Sequence, residues 1–381
     1  MKLFYWCPIF TKVATEKAVI NSALSISKYS KKKITPYLID VIGEWEDTKY
    51  DFFKNEIKIH HLLKFKIIKY LPKLGYLKSR FSYLIIFILS VFKLHSFLKN
   101  ERPEFLIIHL LTSIPLMLLL IFKYKTKFIL RISGLPKLNF FRKLLWKLIS
   151  KKIYYVTTPT FKTKNFLIDK NIFNKSKIRY LPDPVLNIKN TPKRNSNLNF
   201  KNRQSKRNKL IAIGRLTKQK NFEFLINAFS EIHKDFPNTT LLILGDGEEK
   251  EKLKSQISDL NLDNKISLQG YKKNIFYHLY HSDIFIMTSL WEDPGFVLIE
   301  AGYANNIILS SDCPNGPNEI LDDGKNGYLF KSNSLIDFKL KFSQIQNSNE
   351  TKLYEKKILL KKKIKDFTIY NHYKILSSLI I

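Results

Sequence analysis

The stretch Thr288–Tyr303, TSLWEDPGFVLIEAGY, decides how this chain is read. A mostly apolar run, Asp283–Met287, precedes it and has the length and content of a buried parallel strand. After Gly295 the residues follow a helical pattern to about Asn305. That order puts Glu292 in a strand-to-helix loop and Glu300 on the helix the loop feeds. Between them Asp293, Pro294 and Gly295 form a tight turn, whose amides approach a ligand closely at the positive end of a helix dipole. Two carboxylates beside such amides suit a ligand that is both hydroxyl-rich and anionic. An isolated pair of acids at this spacing is usually two solvated charges, so the weight comes from the surrounding chain.

Working upstream, Leu210–Arg215 is a strand that stops at Gly214, and a helix runs from about Phe222 to Glu231 with Phe222, Leu225, Ile226 and Phe229 inward. Arg215 and Lys220 straddle the start of that helix, where spare amides already favour an anion. Arginine forks onto two phosphate oxygens, and lysine adds a mobile point charge. Two bases beside a strand-to-helix turn are common in a basic chain, so the site reading needs a second feature. Thr240–Leu244, Gly245-Asp246-Gly247, an acidic helix, Lys265–Leu268, Gly270-Tyr271 and a short helix at Ile275–His281 supply it. The order is β-α-β-α-β with short turns, a doubly wound sheet that brings the Arg215, Gly270 and Glu292 loops to one edge.

The first half opens in the same way. Leu3–Trp6 and Ile34–Val41 read as strands flanking a helix from about Thr15 to Tyr29. No G-x-G-x-x-G follows the first strand, which weakens a dehydrogenase reading. Phe105–Phe122, FLIIHLLTSIPLMLLLIF, approaches membrane-spanning length, yet His109, Thr112, Ser113 and Pro115 interrupt it. A strand, a turn and a buried helix explain those breakers better than a span does. Lys127–Ser133 is a further strand that delivers Arg131 to the carboxyl edge of the sheet, either to meet a phosphate or to form a salt bridge. Lys151–Thr158 and Ile178–Leu181 complete the set. Residues 62–99 are bulky and aromatic, are interleaved with Lys64, Lys66, Lys69, Lys73, Lys78 and Arg80, and carry no acid. Such a stretch fits a helix in the headgroup region of an anionic bilayer, or a core helix behind a basic loop.

At 381 residues the chain exceeds one ordinary core, and its formal charge of +33 predicts attraction to an anionic polymer or surface. Cys7 and Cys313 lie far apart with no metal-ligand spacing near either, which suggests a reducing compartment. The apolar run in MKLFYWCPIF is too short for a signal-peptide core. Residues 187–209 are almost free of apolar side chains and read as an exposed basic connector, in which only Phe200 offers a stacking surface for nucleic acid. Residues 1–186 then form one domain and 210–350 a second, with C-terminal helices at 351–381 that cross back to the first.

The motifs IGRLTKQKNFEFLINAF, LLILGDGEEKEKL, ISLQGY, SLWEDPGFVLIEA and NGPNEILDDGKNGYLF, taken together, resemble those of the family-4 glycosyltransferases. The likeness covers roughly Leu210–Phe330. In the first domain, WCPIFTKVATEKAVINSA and RISGLP are similar to a bacterial subgroup that builds surface polysaccharides such as lipopolysaccharide, O-antigen and capsule. The resemblance implies an α/β fold of the GT-B type, with two Rossmann-like doubly wound domains facing across a cleft. It implies transfer of a sugar with retention from a nucleotide-diphosphate donor, most commonly a UDP-sugar, with no required metal or other cofactor. Arg215 and Lys220 would hold the diphosphate and Glu300 the ribose. Glu292 with Gly295, Phe296 and Val297 would hold the donor sugar and phosphate, near Gly270 and Tyr271. His109 falls where the family often has a histidine near the reacting sugar, although a buried structural role fits its apolar context equally. Glu16 falls where a glutamate often faces the acceptor.

The expected partners are a nucleotide-sugar donor, a lipid-linked glycan or oligosaccharide acceptor and an anionic membrane surface, with no nucleic acid. The expected location is the cytoplasmic face of the membrane, held peripherally. Two rivals remain. Another GT-B enzyme, such as a nucleotide-sugar epimerase, would release nucleotide without a lipid-linked acceptor. A nucleic-acid-binding protein would bind polynucleotide with steep salt dependence and ignore the loss of Glu300.

Overall fold

A computed structural model describes residues 1–9, 14–45, 56–72, 76–192 and 207–381. Lys73, the Lys78 side chain and linker residues 193–206 with Phe200 lie outside the described set. The chain divides into two compact units, Met1–Asn187 with Phe367–Ile381, and Ile188–Asp366.

The first unit runs β1 (Lys2–Trp6), α1 (Ala14–Tyr29), β2 (Thr35–Asp40), β3 (Lys58–His61), α2 (Tyr76–Asn100), β4 (Phe105–Ile108) and α3 (Ser113–Ile121). It continues with β5 (Lys127–Arg131), α4 (Phe140–Ile149), β6 (Tyr155–Thr158), α5 (Phe161–Asp169) and β7 (Ile178–Tyr180). The strands pair in parallel in the order β3-β2-β1-β4-β5-β6-β7. Because a parallel sheet is covered on both faces, its strands are apolar throughout: all four residues of β4, FLII, are buried. Alternation assigns them to two layers. Phe4, Trp6, Leu106, Ile108, Phe128 and Leu130 pack under α2, α3 and α4. Leu3, Tyr5, Phe105, Ile107 and Ile129 pack under α1 on the opposite face.

The second unit runs β8 (Lys209–Ile213), α6 (Phe222–Asp235), β9 (Thr240–Leu244), α7 (Lys250–Asp259), β10 (Ile266–Leu268), α8 (Ile275–Tyr280) and β11 (Ile284–Met287). Then come α9 (Phe296–Tyr303), β12 (Ile307–Ser311), α10 (Pro317–Leu321), β13 (Tyr328–Phe330), α11 (Leu335–Asn347) and α12 (Glu350–Lys363). Among the described residues its six parallel strands lie in the order β10-β9-β8-β11-β12-β13. The final helix, α13 (Ile369–Ile380), belongs to the first unit and packs along α1. The segment before it is stitched in by Leu186 N–H donating to Phe367 O at 3.0 Å and Ile369 N–H to Leu186 O at 3.0 Å.

One expectation for the linker is corrected. Arg207 is not a solvated base but is 8% exposed, with its guanidinium donating to Ile345 O, to Gln346 O at 2.8 Å and to Glu350 Oε1 at 2.7 Å. Those two carbonyls close α11, and a helix C-terminus needs donors and favours a cation. The chain therefore enters the second unit before the expected boundary at residue 210.

Candidate functional site

In the second sheet the strand order reverses between β8 and β11, which pair directly through Leu210 with Ile284 and Ile211 with Phe285. A crevice opens outside the carboxyl ends of the strands at such a reversal. The two loops leaving these strands are Gly214–Asn221 and Thr288–Gly295, the two stretches singled out in the sequence. They are sewn together. Leu290 N–H donates to Gln219 O at 2.8 Å, Gln219 Nε2 to Trp291 O at 2.9 Å, and Thr288 Oγ1 to Lys220 O at 3.0 Å.

Across this seam Lys220 Nζ forms an ion pair with Glu292 Oε1, which also accepts from Ser289 Oγ. Ser289 O in turn accepts from Ser311 Oγ at 2.7 Å, tying the loop to β12. Glu292 is 5% exposed and Glu300, one turn into α9, is 7% exposed. Arg215 is exposed and reaches Gln219 Oε1 at 3.4 Å. Gly295 begins α9 at φ +98, and a Cβ there would lie 3.6 Å from Glu292 Oε2. The amides of Phe296 and Val297 thus open the helix beside a buried carboxylate. Asn315 Nδ2 donates to Asp293 Oδ1, and Glu292 N–H to Pro314 O at 3.1 Å, so the β12–α10 loop braces the acidic turn.

A third turn joins the same edge. Gly245 N–H donates to Gly270 O at 2.9 Å, and Gly214 N–H to Leu244 O at 3.0 Å. A Cβ on Gly245 would sit 1.7 Å from Gly214 O, and one on Gly214 would press on the Lys220 side chain at 3.1 Å. Gly270, Gly245, Gly214, Lys220 and Glu292 thus form a continuous run of contacts along the carboxyl edge. Tyr271, beside Gly270, is 59% exposed.

The first unit treats its expected site residues differently. Arg131, for which a phosphate contact and a salt bridge were both open, is 3% exposed and donates to Leu181 O at 2.6 Å and Asp183 Oδ1 at 2.6 Å. The phosphate contact is corrected to the ion pair, buried rather than at the surface, because the alternate-residue position of Arg131 points it into the layer under α1. His109 is 8% exposed, and among the described residues its Nδ1 is buried without a hydrogen-bond partner. Burial pushes its pKa well below the usual histidine range, and the nearby Arg131 charge adds to that, so the ring is neutral. Both line a cavity of about 10 Å³ with Ser22, Thr157, Asp183 and His372. His372 Nδ1 donates to Pro182 O at 2.8 Å, which leaves Nε2 to accept from Ser22 Oγ at 2.8 Å. Tyr5 OH bonds Ser22 Oγ at 2.9 Å. Glu16, in the first turn of α1, is partly exposed.

A carboxyl cluster at the end of β2 went unread in the sequence. Glu44, 7% exposed, accepts from Ile42 N–H at 2.7 Å, and Asp40 Oδ2 bonds His61 Nδ1 at 2.8 Å. Burial, and then the Asp40 charge, push Glu44 well above the usual carboxylate range. The available signal was two acids close together, Asp40 ending an apolar strand and Glu44 following Gly43.

Three comparisons bear on this geometry. A family model described as glycosyl transferases group 1 matches residues 193–359. An uncharacterized glycosyltransferase of Methanocaldococcus jannaschii is 34% identical over 312 residues, covering 77% of this chain and 71% of that protein. The amylovoran biosynthesis glycosyltransferase AmsD of Erwinia amylovora is 37% identical over 137 residues, covering 35% of this chain and 38% of AmsD. Among solved structures, HepE of Anabaena in complex with UDP and glucose matches with a TM-score of 0.74 at 15% identity, over 99% of this chain and 98% of that one. Two parallel-sheet Rossmann-like units and that likeness make the fold GT-B.

Proposed function

Because the chain belongs to the group 1 glycosyl transferases, we propose that it moves a sugar from a UDP-sugar, with retention, onto a lipid-linked or oligosaccharide acceptor in bacterial surface-glycan synthesis. The observation that carries this reading is the ion pair of Lys220 with Glu292, which joins the two loops at the reversal of the second sheet. The Anabaena structure solved with UDP and glucose, and the part of AmsD in amylovoran biosynthesis, support donor and pathway class.

In this reading Arg215 and Lys220 hold the diphosphate, Glu300 accepts from the ribose hydroxyls, and Glu292 accepts from hydroxyls of the donor sugar. The amides of Gly295, Phe296 and Val297 face phosphate oxygens. The bond from the anomeric carbon to the diphosphate oxygen breaks, the acceptor oxygen takes its place on the same face, and the acceptor proton leaves with the departing diphosphate. Fixed cationic groups and a helix N-terminus aimed at the charge that develops on the leaving group lower the barrier. No metal is assigned a part, and transfer should persist in chelator. Action at the cytoplasmic face of the membrane belongs to the same proposal.

The test is a thermal-shift series with UDP, ADP and GDP, followed by determination of the anomeric configuration of the product. A ligand that binds only the native state raises its melting temperature. Arg215→Ala and Glu300→Ala should abolish the UDP shift and lower kcat/KM by about 10²–10³ while the ligand-free melt stays near the parent's. A UDP shift that survives both substitutions, or a product of inverted configuration, would overturn the proposal.

A further inference from the structure

We propose that the outward faces of α2, α3 and α4 form a docking face for an anionic lipid bilayer. The inference rests on the membrane-linked acceptor reading above and deepens it by naming the surface that meets the lipid. The three helices lie side by side against one face of the first sheet, so their backs share a core and their outer faces look the same way.

Each outer face is apolar where a globular surface would be polar. In α2, Ile86, Leu94 and Leu98 are buried against the sheet. The opposite strip, Phe81, Leu84, Ile88 and Phe92, follows helical spacing and is 58%, 53%, 58% and 78% exposed. The most apolar 18-residue window of the segment Arg80–Asn100 has a mean hydropathy of 1.8, yet only 33% of that window is buried. A helix that is apolar all round needs cover on every side. Its inner strip is committed to the core, so α2 is held flat against the sheet and offers only its outer strip to lipid. Next to it α3 exposes Ile121 at 66%, and α4 exposes Phe140 at 74% and Phe141 at 79% while turning Trp146 and Ile149 inward.

Charge selects the occupant. Between residues 57 and 168 the sequence holds 22 lysines and arginines against two acids, Glu101 and Glu104. Lys93, Lys123, Arg142, Lys143 and Lys147 are exposed around the apolar strips. A second copy of the chain would set one basic face against another, which costs association free energy. Lysine is depleted in protein interfaces, whereas aromatic and aliphatic side chains ringed by lysine match the boundary between acyl chains and anionic headgroups.

The full chain should co-sediment with mixed phosphatidylglycerol/phosphatidylcholine vesicles and far less with phosphatidylcholine alone. Three paired variants, Phe140→Ser with Phe141→Ser, Ile88→Ser with Phe92→Ser, and Lys143→Glu with Lys147→Glu, should each lower the partition coefficient by at least about tenfold. Their UDP-induced thermal shift should match the parent's, which establishes that each is folded. Equal partition of parent and variants, or no binding of the parent to anionic vesicles, overturns the proposal. So does a dimer in sedimentation velocity that the Phe140/Phe141 pair dissociates while vesicles take up nothing. Failure of UDP binding with vesicle uptake intact would instead sink the glycosyl-transfer reading and leave the docking face standing.

Discussion

The two units share a plan, a parallel sheet wound on both sides, but keep their polar chemistry in different places. In the second unit it sits on turns. Gly214–Lys220 and Thr288–Gly295 are short, leave neighbouring strands, and present Arg215, Lys220 and Glu292 within a few residues of a backbone reversal. In the first unit it is drawn inward from five separate segments. Tyr5 of β1, Ser22 of α1, Arg131 of β5, Asp183 and His372 of α13 meet in a buried network under the sheet edge. Of the turn groups Arg215 is exposed and Lys220 is half-buried in its pair with Glu292, whereas the first unit's groups are sequestered together, must satisfy one another and serve mainly to fix the fold.

The largest effect that would break this contrast lies in the second unit. Gly245, at φ +153, brings its Cα against Gly214 O, and an added Cβ would overlap that backbone oxygen at 1.7 Å. Neither a rotamer change nor a flexible neighbour relieves a clash with main chain. Gly245→Ala should therefore cost at least about 3 kcal/mol in urea unfolding and also weaken the UDP-induced thermal shift, because Gly214 underlies Lys220. Wild-type stability with unchanged nucleotide binding would show that the turns do not depend on that close approach.

The next effect belongs to the first unit and reads its buried network through pH. Burial lowers the His372 pKa to about 3, its bond to Pro182 O opposes that shift, and the Arg131 charge reinforces it. The folded state thus holds the neutral ring, while the unfolded chain takes up a proton below the ordinary histidine value of about 6.5. The stabilisation is complete above pH 6.5 and is lost as pH falls toward 3, the direction expected when the unfolded state binds more protons. Acidification from pH 7 to 5 should cost about 2 kcal/mol through His372 alone, with His109 acting in the same direction. His372→Gln should remove about that much of the pH dependence. Urea midpoints at the two pH values decide it, and a variant that loses as much on acidification as the parent rejects the assignment.

The same contrast explains what could be read in the sequence. Strands such as β4 and β11 announce themselves because burial on both faces leaves every residue apolar. The edge strand β3, KIHH, is half exposed and has no apolar run, so it carries no pattern. The candidate site of the second unit could be picked out in the sequence because glycine, base and acid fall within single turns. The surroundings of Arg131 and Arg207 were not, since their partners, Asp183 in one case and the α11 carbonyls with Glu350 in the other, lie 52 and about 140 positions away in the chain. Long-range pairing is set by the packing of layers, and local spacing contains no record of it.

The smallest effect separates two roles for a turn glycine within the second unit. Gly270 has φ +67, so any other residue there adopts a left-handed conformation, yet an added Cβ would meet nothing within 4 Å among the described residues. Gly270→Ala therefore bears the conformational penalty without the steric one, and about 1 kcal/mol is expected in urea unfolding. Its carbonyl still accepts from Gly245 N–H, since the substitution leaves both backbone groups in place. The open space beside Gly270 and the exposed Tyr271 lie at the same sheet edge as the Lys220–Glu292 pair. If a nucleotide base occupies that space, the added methyl will raise the Kd for UDP more than the small stability loss accounts for. If UDP binds as tightly to the variant as to the parent, the space beside Gly270 is not part of the nucleotide site, and the candidate ligand turns of the second unit narrow to the two at the strand reversal.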